Sequence, residues 1–196
     1  MQRYDIIRHL IEKRGYKSYL EIGVLGNETY NALPSLDVKH SVDPNGQAVF
    51  NMTSDEFFSS YCSQTYDIIF IDGLHLAEQV QRDIENSLTH LNEDGIIVCH
   101  DMLPTEEWHQ FREGVDGKPW TGDCWRAFVN LKSTRLDLKM CVVDTDWGCG
   151  LIEKLVPGSW QTCLLAPYPE PTWGQFLAHR DIMMNVITVE EFLGRT

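Results

Sequence analysis

No stretch of this 196-residue chain stays apolar long enough to cross a bilayer, and no C-x-x-C pair joins any of its six cysteines. The first absence argues against a membrane span, and the opening MQRYDIIRHL lacks the apolar core of a signal peptide. The second argues against a zinc ribbon. The scatter of Cys62, Cys99, Cys124, Cys141, Cys149 and Cys163 fits reduced structural thiols rather than a disulfide framework. A cytoplasmic location is therefore expected. Basic residues are also scarce, with 16 Lys and Arg against 29 Asp and Glu and a formal charge of −13. Holding a phosphate backbone needs clustered cations, so nucleic acid is not expected as a partner, whereas a cationic ligand or a metal would suit. Repeats and low-complexity tracts are missing too, and the length suits one domain over 1–196.

What is present centres on Tyr66–Pro104. An unbroken apolar run, Ile68-Ile69-Phe70-Ile71, stops at Asp72-Gly73, and a second, Ile96-Ile97-Val98-Cys99, stops at His100-Asp101. Between them Leu76, Ala77, Val80, Ile84, Leu88 and Leu91 recur at helical spacing, with Glu78, Gln81, Arg82 and Glu85 on the other face. Runs without alternation, flanking an amphipathic helix, predict strands buried on both faces of a parallel sheet. Both strands deliver carboxylates at their C-terminal ends, the edge where open α/β sheets bind ligands.

Upstream, the pattern predicts a helix over Asp5–Arg14 ended by Gly15, a strand over Lys17–Gly23, a tight turn Val24–Asn27, a helix over Glu28–Leu33 and a strand over Val38–Asp43. Thr53-Ser54-Asp55-Glu56 reads as a helix start, with a further strand in the short stretch before it. Downstream, Met102–Asp123 reads as a long loop with at most short helices and Cys124–Leu131 as a helix. Leu136–Val143 and Gly150–Leu155 form an antiparallel hairpin through Asp144–Cys149. After a Pro-rich irregular stretch from Pro157, Gln175–Asn185 reads as a helix and Val189–Leu193 as a last turn. The fold class expected is α/β: a Rossmann-like, doubly wound, mostly parallel seven-stranded sheet with an antiparallel C-terminal hairpin. Residues 1–104 would bind a cofactor, and 105–196 would supply substrate or lid loops and the hairpin. All six tryptophans (Trp108, Trp120, Trp125, Trp147, Trp160, Trp173) fall in the second part, as candidates for pocket walls or for core.

Four strands end on acids: Glu21, Asp43, Asp72 and Asp101. Each alone could cap a helix or turn; together at one edge they form a site. An acid about 20 residues past a glycine-bearing first turn typically bonds ribose hydroxyls, which assigns Asp43. The turn itself, Glu21-Ile22-Gly23-Val24-Leu25-Gly26, is not the G-x-G-x-x-G of a dinucleotide site. A carboxylate at its start is unhelpful beside a pyrophosphate and useful beside an ammonium group. S-adenosylmethionine carries ribose, an α-ammonium and a sulfonium but no phosphate, and the turn chemistry favours it.

Tyr19-Leu20-Glu21-Ile22-Gly23-Val24, Val42-Asp43-Pro44-Asn45, Phe70-Ile71-Asp72-Gly73-Leu74-His75 and Gly95-Ile96-Ile97-Val98-Cys99-His100-Asp101 also resemble, in this order, the motifs of class I S-adenosylmethionine-dependent methyltransferases of the small-molecule O-methyltransferase type. The resemblance covers about Lys17–Pro104. It implies a seven-stranded sheet with an antiparallel last strand. It also implies Glu21 and Gly23, with the turn residues Val24 and Gly26, near the methionine moiety, Asp43 on the ribose, Ser54 and Asp55 near the adenine, and Asp72 beside the cofactor. Leu25 stands where the fuller turn has its middle glycine. The metal-dependent branch carries an Asp followed by Asp-Asp or Asp-Asn; here the corresponding trio is Asp72, His100 and Asp101. Magnesium or manganese is the divalent ion implied, and His100, softer than oxygen, suits a transition metal.

A sulfonium methyl is already activated, so the protein has to align a displacement and handle the acceptor's proton. His75 is a candidate base. Asp72 and Asp101 could hold a cation that acidifies the acceptor hydroxyl, and His100 could serve either purpose. The acceptor is expected to be a small hydroxylated molecule, and a homo-oligomer is compatible with the short N-terminal region. Three other readings stay open: a nicotinamide-dependent oxidoreductase, against which Glu21 and the missing third glycine speak; a metal-dependent hydrolase using Asp72, His75, His100 and Asp101; and a non-catalytic binding protein.

Overall fold

The computed structural model describes residues 1–159 and 170–195. The sheet is built from β1 (Ser18–Ile22), β2 (Val38–Val42), β3 (Tyr66–Ile71), β4 (Leu91–Cys99), β5 (Leu138–Val143), β6 (Cys149–Lys154) and β7 (Val186–Ile187), in the order β2-β1-β3-β4-β6-β5-β7. The first four strands are parallel, and β6 is antiparallel to both β4 and β5. Helices α1 (Arg3–Arg14), α2 (Glu28–Ala32), α3 (Ser54–Glu56), α4 (Ala77–Thr89), α5 (Cys124–Thr134), α6 (Trp173–Met184) and α7 (Val189–Arg195) complete the chain.

The unbroken apolar runs have two faces to fill. Leu20, Ile22, Ile69, Ile71, Ile97 and Cys99 pack with Ile84 of α4, Trp125 and Phe128 of α5 and Phe176 of α6. Tyr19, Ile68, Phe70, Ile96 and Val98 pack on the other face with Ile6, Ile7 and Leu10 of α1 and Phe192 of α7. Period-2 alternation of side chains thus divides every central strand between two cores, each made entirely of buried groups. Glu21, next to Tyr19 in β1, is drawn into this interior at 2% exposure. Gly15 ends α1 in the left-handed conformation, with φ of 67°.

Several expectations need correction. The stretch before Thr53 forms no strand: Phe50 makes a single bridge to Val42, and the Met52 amide then turns back to the Phe50 carbonyl at 3.1 Å. The seventh strand is instead Val186–Ile187, parallel to β5, so the antiparallel strand β6 is not the last in the chain. Two residues after a helix are too few to show an alternating pattern. Leu91, read with the helix, opens β4 instead, paired with Tyr66. The Thr53 hydroxyl caps α3 by accepting the Glu56 amide at 3.2 Å, and Met102–Asp123 holds one short 3-10 turn, Glu107–Gln110. The five described cysteines are free thiols, four of them buried, while Cys163, Trp160 and Tyr168, within 160–169 of the Pro-rich stretch, lie outside the described residues. Among the described residues no helix is long and apolar enough to cross a membrane.

Candidate active site

The ends of β1 and β3 are in contact through glycine. Gly23 has φ of +87°, and a β-carbon there would lie 2.1 Å from the Asp72 carbonyl oxygen, so only glycine lets the two turns approach. The Gly23 amide donates to the Val42 carbonyl at 2.9 Å, and the Asp72 amide to the Ile22 carbonyl at 2.8 Å. Asp43, at the end of β2, accepts the Val24 amide at 2.9 Å on one oxygen and the Asn45 amide at 2.7 Å on the other. Leu25 points into solvent, 96% exposed, so its side chain does not enter this cradle. Gly26, with φ of +73°, has open space where a β-carbon would stand.

Glu21 lies beneath the cradle. The Tyr19 hydroxyl donates to its carboxyl at 2.5 Å. Burial raises its pKa to about 8, against the opposing pull of the Tyr19 bond. Ser54 and Asp55 are tied to α4: the Gln79 side-chain amide donates to Ser54 Oγ at 3.2 Å, to Asp55 Oδ1 at 3.2 Å and to the buried Asp83 at 3.0 Å. Burial lifts the Asp83 carboxyl to about 6.

The acids of β3 and β4 meet two histidines. His75 Nε2 lies 3.4 Å from Asp72 Oδ1 and 3.3 Å from Asp101 Oδ2. His100 Nδ1 lies 3.4 Å from Asp72 Oδ1 and 3.4 Å from Asp101 Oδ1, and its Nε2 is 3.6 Å from Asp146 Oδ2. Asp72, His75 and Asp101 each offer a ligand atom, all within 4.8 Å of one another. This group holds His75, and His100 of the expected ligand trio stands beside it. Both of its ring nitrogens face carboxylates, and although burial opposes a charge there, Asp72, Asp101 and Asp146 together raise its pKa well above that of a free imidazole. For Asp72 burial is likewise outweighed, by the His100 charge and by hydrogen bonds from His100 and His75, and its carboxyl is held far below the usual range. His75 is raised above its ordinary value: burial lowers it, but the Asp72 bond and the charges of Asp101 and Asp72 prevail. Its other nitrogen, Nδ1, is buried with no hydrogen-bond partner.

The loop after β4 closes over His75. The Trp120 ring lies against the imidazole at 4.9 Å between centroids and 31° between planes, and its indole N–H donates to the Phe111 carbonyl at 2.6 Å. Arg112 ties this loop to α4 through Glu78 and, at 2.9 Å, to Asp123, whose other oxygen accepts the Ala77 amide at 2.7 Å. Of the other tryptophans, Trp125 is core, Trp173 stacks on Phe176, and Trp147 packs its ring on His109 at 4.8 Å.

Sequence reading missed Asp146 and Arg3. Asp146 sits in the β5–β6 turn, where Asp146, Trp147 and Gly148 take φ of 46°, 62° and 89° in succession. The turn folds back on the strand-end loop, with the Met102 amide donating to the Gly148 carbonyl at 3.1 Å. The D-x-G string was the available signal.

Residues 16–102 match a family model described as a methyltransferase domain. No curated protein matches the chain significantly. The O-methyltransferase from Bacillus cereus solved in complex with SAH is 15% identical, with a TM-score of 0.57 over 78% of this chain and 80% of that one. The O-methyltransferase TomG from Streptomyces achromogenes, involved in tomaymycin synthesis and solved with SAM, is 14% identical at a TM-score of 0.56, covering 79% and 80%. SAH-bound methyltransferase PaMTH1 from Podospora anserina is 15% identical at 0.55, covering 82% and 78%. At these identities the likeness is one of fold. The matched segment runs from just after α1 through the β1 turn and both acid-bearing strands, and the fold of the chain is similar to that of these methyltransferases.

Proposed function

We propose that the chain methylates a hydroxyl of a small-molecule acceptor with S-adenosylmethionine as donor, assisted by a divalent cation, manganese or magnesium, at Asp72, His75 and Asp101. Residues 1–104 form the cofactor half of a single domain over 1–196 that works in the cytoplasm, and the loops after 105 form the acceptor side. The observation that carries this reading is the contact between the β1 and β3 turns at Gly23 and Asp72. It sets the turn after β1 next to an acid–histidine cluster.

Bound cofactor supplies a methyl group activated on a sulfonium, and a bound cation supplies acidity to a nearby hydroxyl. The chain's own contribution is placement and proton handling. Asp43 keeps a lone pair on each oxygen for ribose hydroxyls, because each oxygen accepts only one backbone amide. Glu21, whose hydrogen-bond partner is a neutral phenol, would gain a counter-charge from the cofactor's ammonium. The donor set of two carboxylates and one imidazole fits manganese better than magnesium. His100, whose ring nitrogens face Asp72, Asp101 and Asp146, would orient the two carboxylates from beside the cation. Burial of Asp101 and the cover of Trp120 keep bulk water from competing with the acceptor oxygen.

In a metal-free variant of this reading His75 is the base: Nε2 donates to the carboxylates of Asp72 and Asp101 that face it, and Nδ1, which has no hydrogen-bond partner, takes the acceptor's proton. Isothermal titration with S-adenosylmethionine and its demethylated product, each with manganese, with magnesium and with EDTA, tests both. Micromolar binding of either nucleoside is expected, and a manganese-dependent heat separates the cation from the base. Absence of nucleoside binding in every condition would overturn the assignment.

A further inference from the structure

The first residues of α1 reach into the acid cluster. Arg3 places Nη1 3.2 Å from Asp146 Oδ2, Nε 3.7 Å from Asp72 Oδ2 and Nη2 3.1 Å from Glu28. Its Nε also donates to Thr29 Oγ1 at 3.0 Å, and its backbone amide gives Asp146 Oδ2 a second bond at 2.8 Å. The Thr145 hydroxyl donates to the Met1 carbonyl. Residues 1–3 are thereby sewn to the β5–β6 turn and to α2, and the Arg3 side chain is left only 19% exposed.

Three carboxylates, Asp72, Asp101 and Asp146, converge here, and the basic side chains facing them among the described residues are His75, His100 and Arg3. Arg3 alone is a guanidinium, charged at every working pH. It approaches Asp72 from Oδ2, while His75 and His100 both face Oδ1. A basic residue in the first turn of a helix also works against the helix dipole, which favours acids there, so its position needs a tertiary reason.

We propose that Arg3 is a positioning residue that acts as the resident counter-cation of the Asp72–Asp101–Asp146 cluster, holding it together without metal and lowering its affinity for a divalent cation. The inference rests on the reading of Asp72, His75 and Asp101 as a cation site. A guanidinium on the far oxygen of Asp72 repels a second cation there, and without it three close carboxylates repel one another. Arg3 thus couples docking of α1 to the charge state of the site.

The test compares wild type, Arg3→Gln and Arg3→Lys in the full chain. Three readouts are used: manganese affinity, melting temperature in EDTA and in manganese, and affinity for the demethylated cofactor. Arg3→Gln is expected to melt several degrees lower in EDTA, to bind manganese at least threefold more tightly, and to gain more melting temperature from manganese than wild type does. Arg3→Lys, which keeps the charge, is expected to stay within twofold of wild type in manganese affinity. A destabilised Arg3→Gln that manganese restores no better than wild type, with unchanged manganese affinity, would show Arg3 to be a plain helix anchor and overturn the proposal. If Arg3→Gln does not fold, Arg3→Gln/Asp146→Asn, which removes one charge of each sign, is expected to fold; its failure to fold in either EDTA or manganese counts against the proposal as well. Failure of wild type to bind the nucleoside would strike the methyltransferase reading separately, since the manganese comparison does not depend on it.

Discussion

Gly122 approaches His75 so closely that a β-carbon at position 122 would stand 1.9 Å from the His75 carbonyl oxygen. The loop after β4 can cover His75 only because this residue is a glycine, held at φ of +60°. Gly122→Ala meets both a left-handed backbone penalty of about 1 kcal/mol and a collision with backbone that cannot move aside. A loss of at least ~2 kcal/mol in urea denaturation is expected, together with weaker manganese binding as Trp120 and His75 part. Wild-type stability for Gly122→Ala would show that the loop does not dock on His75.

Glu21 makes stability depend on pH in a defined direction. Its pKa rises from the usual 4.5 to about 8 in the folded chain. The fold favours the neutral carboxyl, so this contribution is fully present below pH 4.5 and is lost as pH rises through about 8. The shift corresponds to at most about 5 kcal/mol, for a side chain that is almost wholly buried. Glu21→Gln should therefore gain on wild type between pH 5 and pH 8 in urea titrations of the ligand-free protein. Parallel pH profiles would mean that Glu21 does not titrate in this window. A cofactor ammonium reverses the preference, so titration near pH 7 in buffers of different ionisation enthalpy should report net proton release on binding.

Asp43 orders two turns at once through its bonds to Val24 and Asn45. Asp43→Ala is expected to lower S-adenosylmethionine affinity at least a hundredfold, since two amides lose their acceptor and the ribose loses its partner. Asp43→Asn keeps one amide acceptor and should fall between the two. Unchanged affinity in Asp43→Ala would remove the ribose assignment.

Much of this arrangement could be read along the chain, for reasons that differ by residue. Ile68–Ile71 and Ile96–Cys99 are buried on both faces of the sheet, so they appear as unbroken apolar runs, and the acids that end them stand out. Gly23 and Asp43 were legible because a tight turn and its anchoring carboxylate are local features. His100 was legible as a strand-end residue, but its surroundings were not, because Asp146, which faces its second nitrogen, lies in a hairpin turn 46 residues on. Arg3 lies ahead of the helix read over Asp5–Arg14, and only the structure, in which α1 begins at Arg3, shows its mismatch with the helix dipole. Val186–Ile187 pairs with β5 because α6 delivers it there, a tertiary fact that two residues cannot encode.

Asp101 holds a left-handed backbone, with φ of 64°, at the very position where its side chain faces both histidines. The two properties can be separated by substitution. Asparagine tolerates this conformation better than other residues with a β-carbon, and it keeps the shape of the side chain while discarding the charge. Alanine discards both and adds strain of about 1 kcal/mol. Asp101→Asn is thus expected to stay within about 1.5 kcal/mol of wild-type stability, to bind the demethylated cofactor within threefold, and to lose manganese binding more than tenfold. Asp101→Ala should lose manganese binding equally and be the less stable of the two by urea denaturation. If Asp101→Asn binds manganese as wild type does, the cation is not held at Asp101, and the proton of the acceptor must then pass to His75 alone.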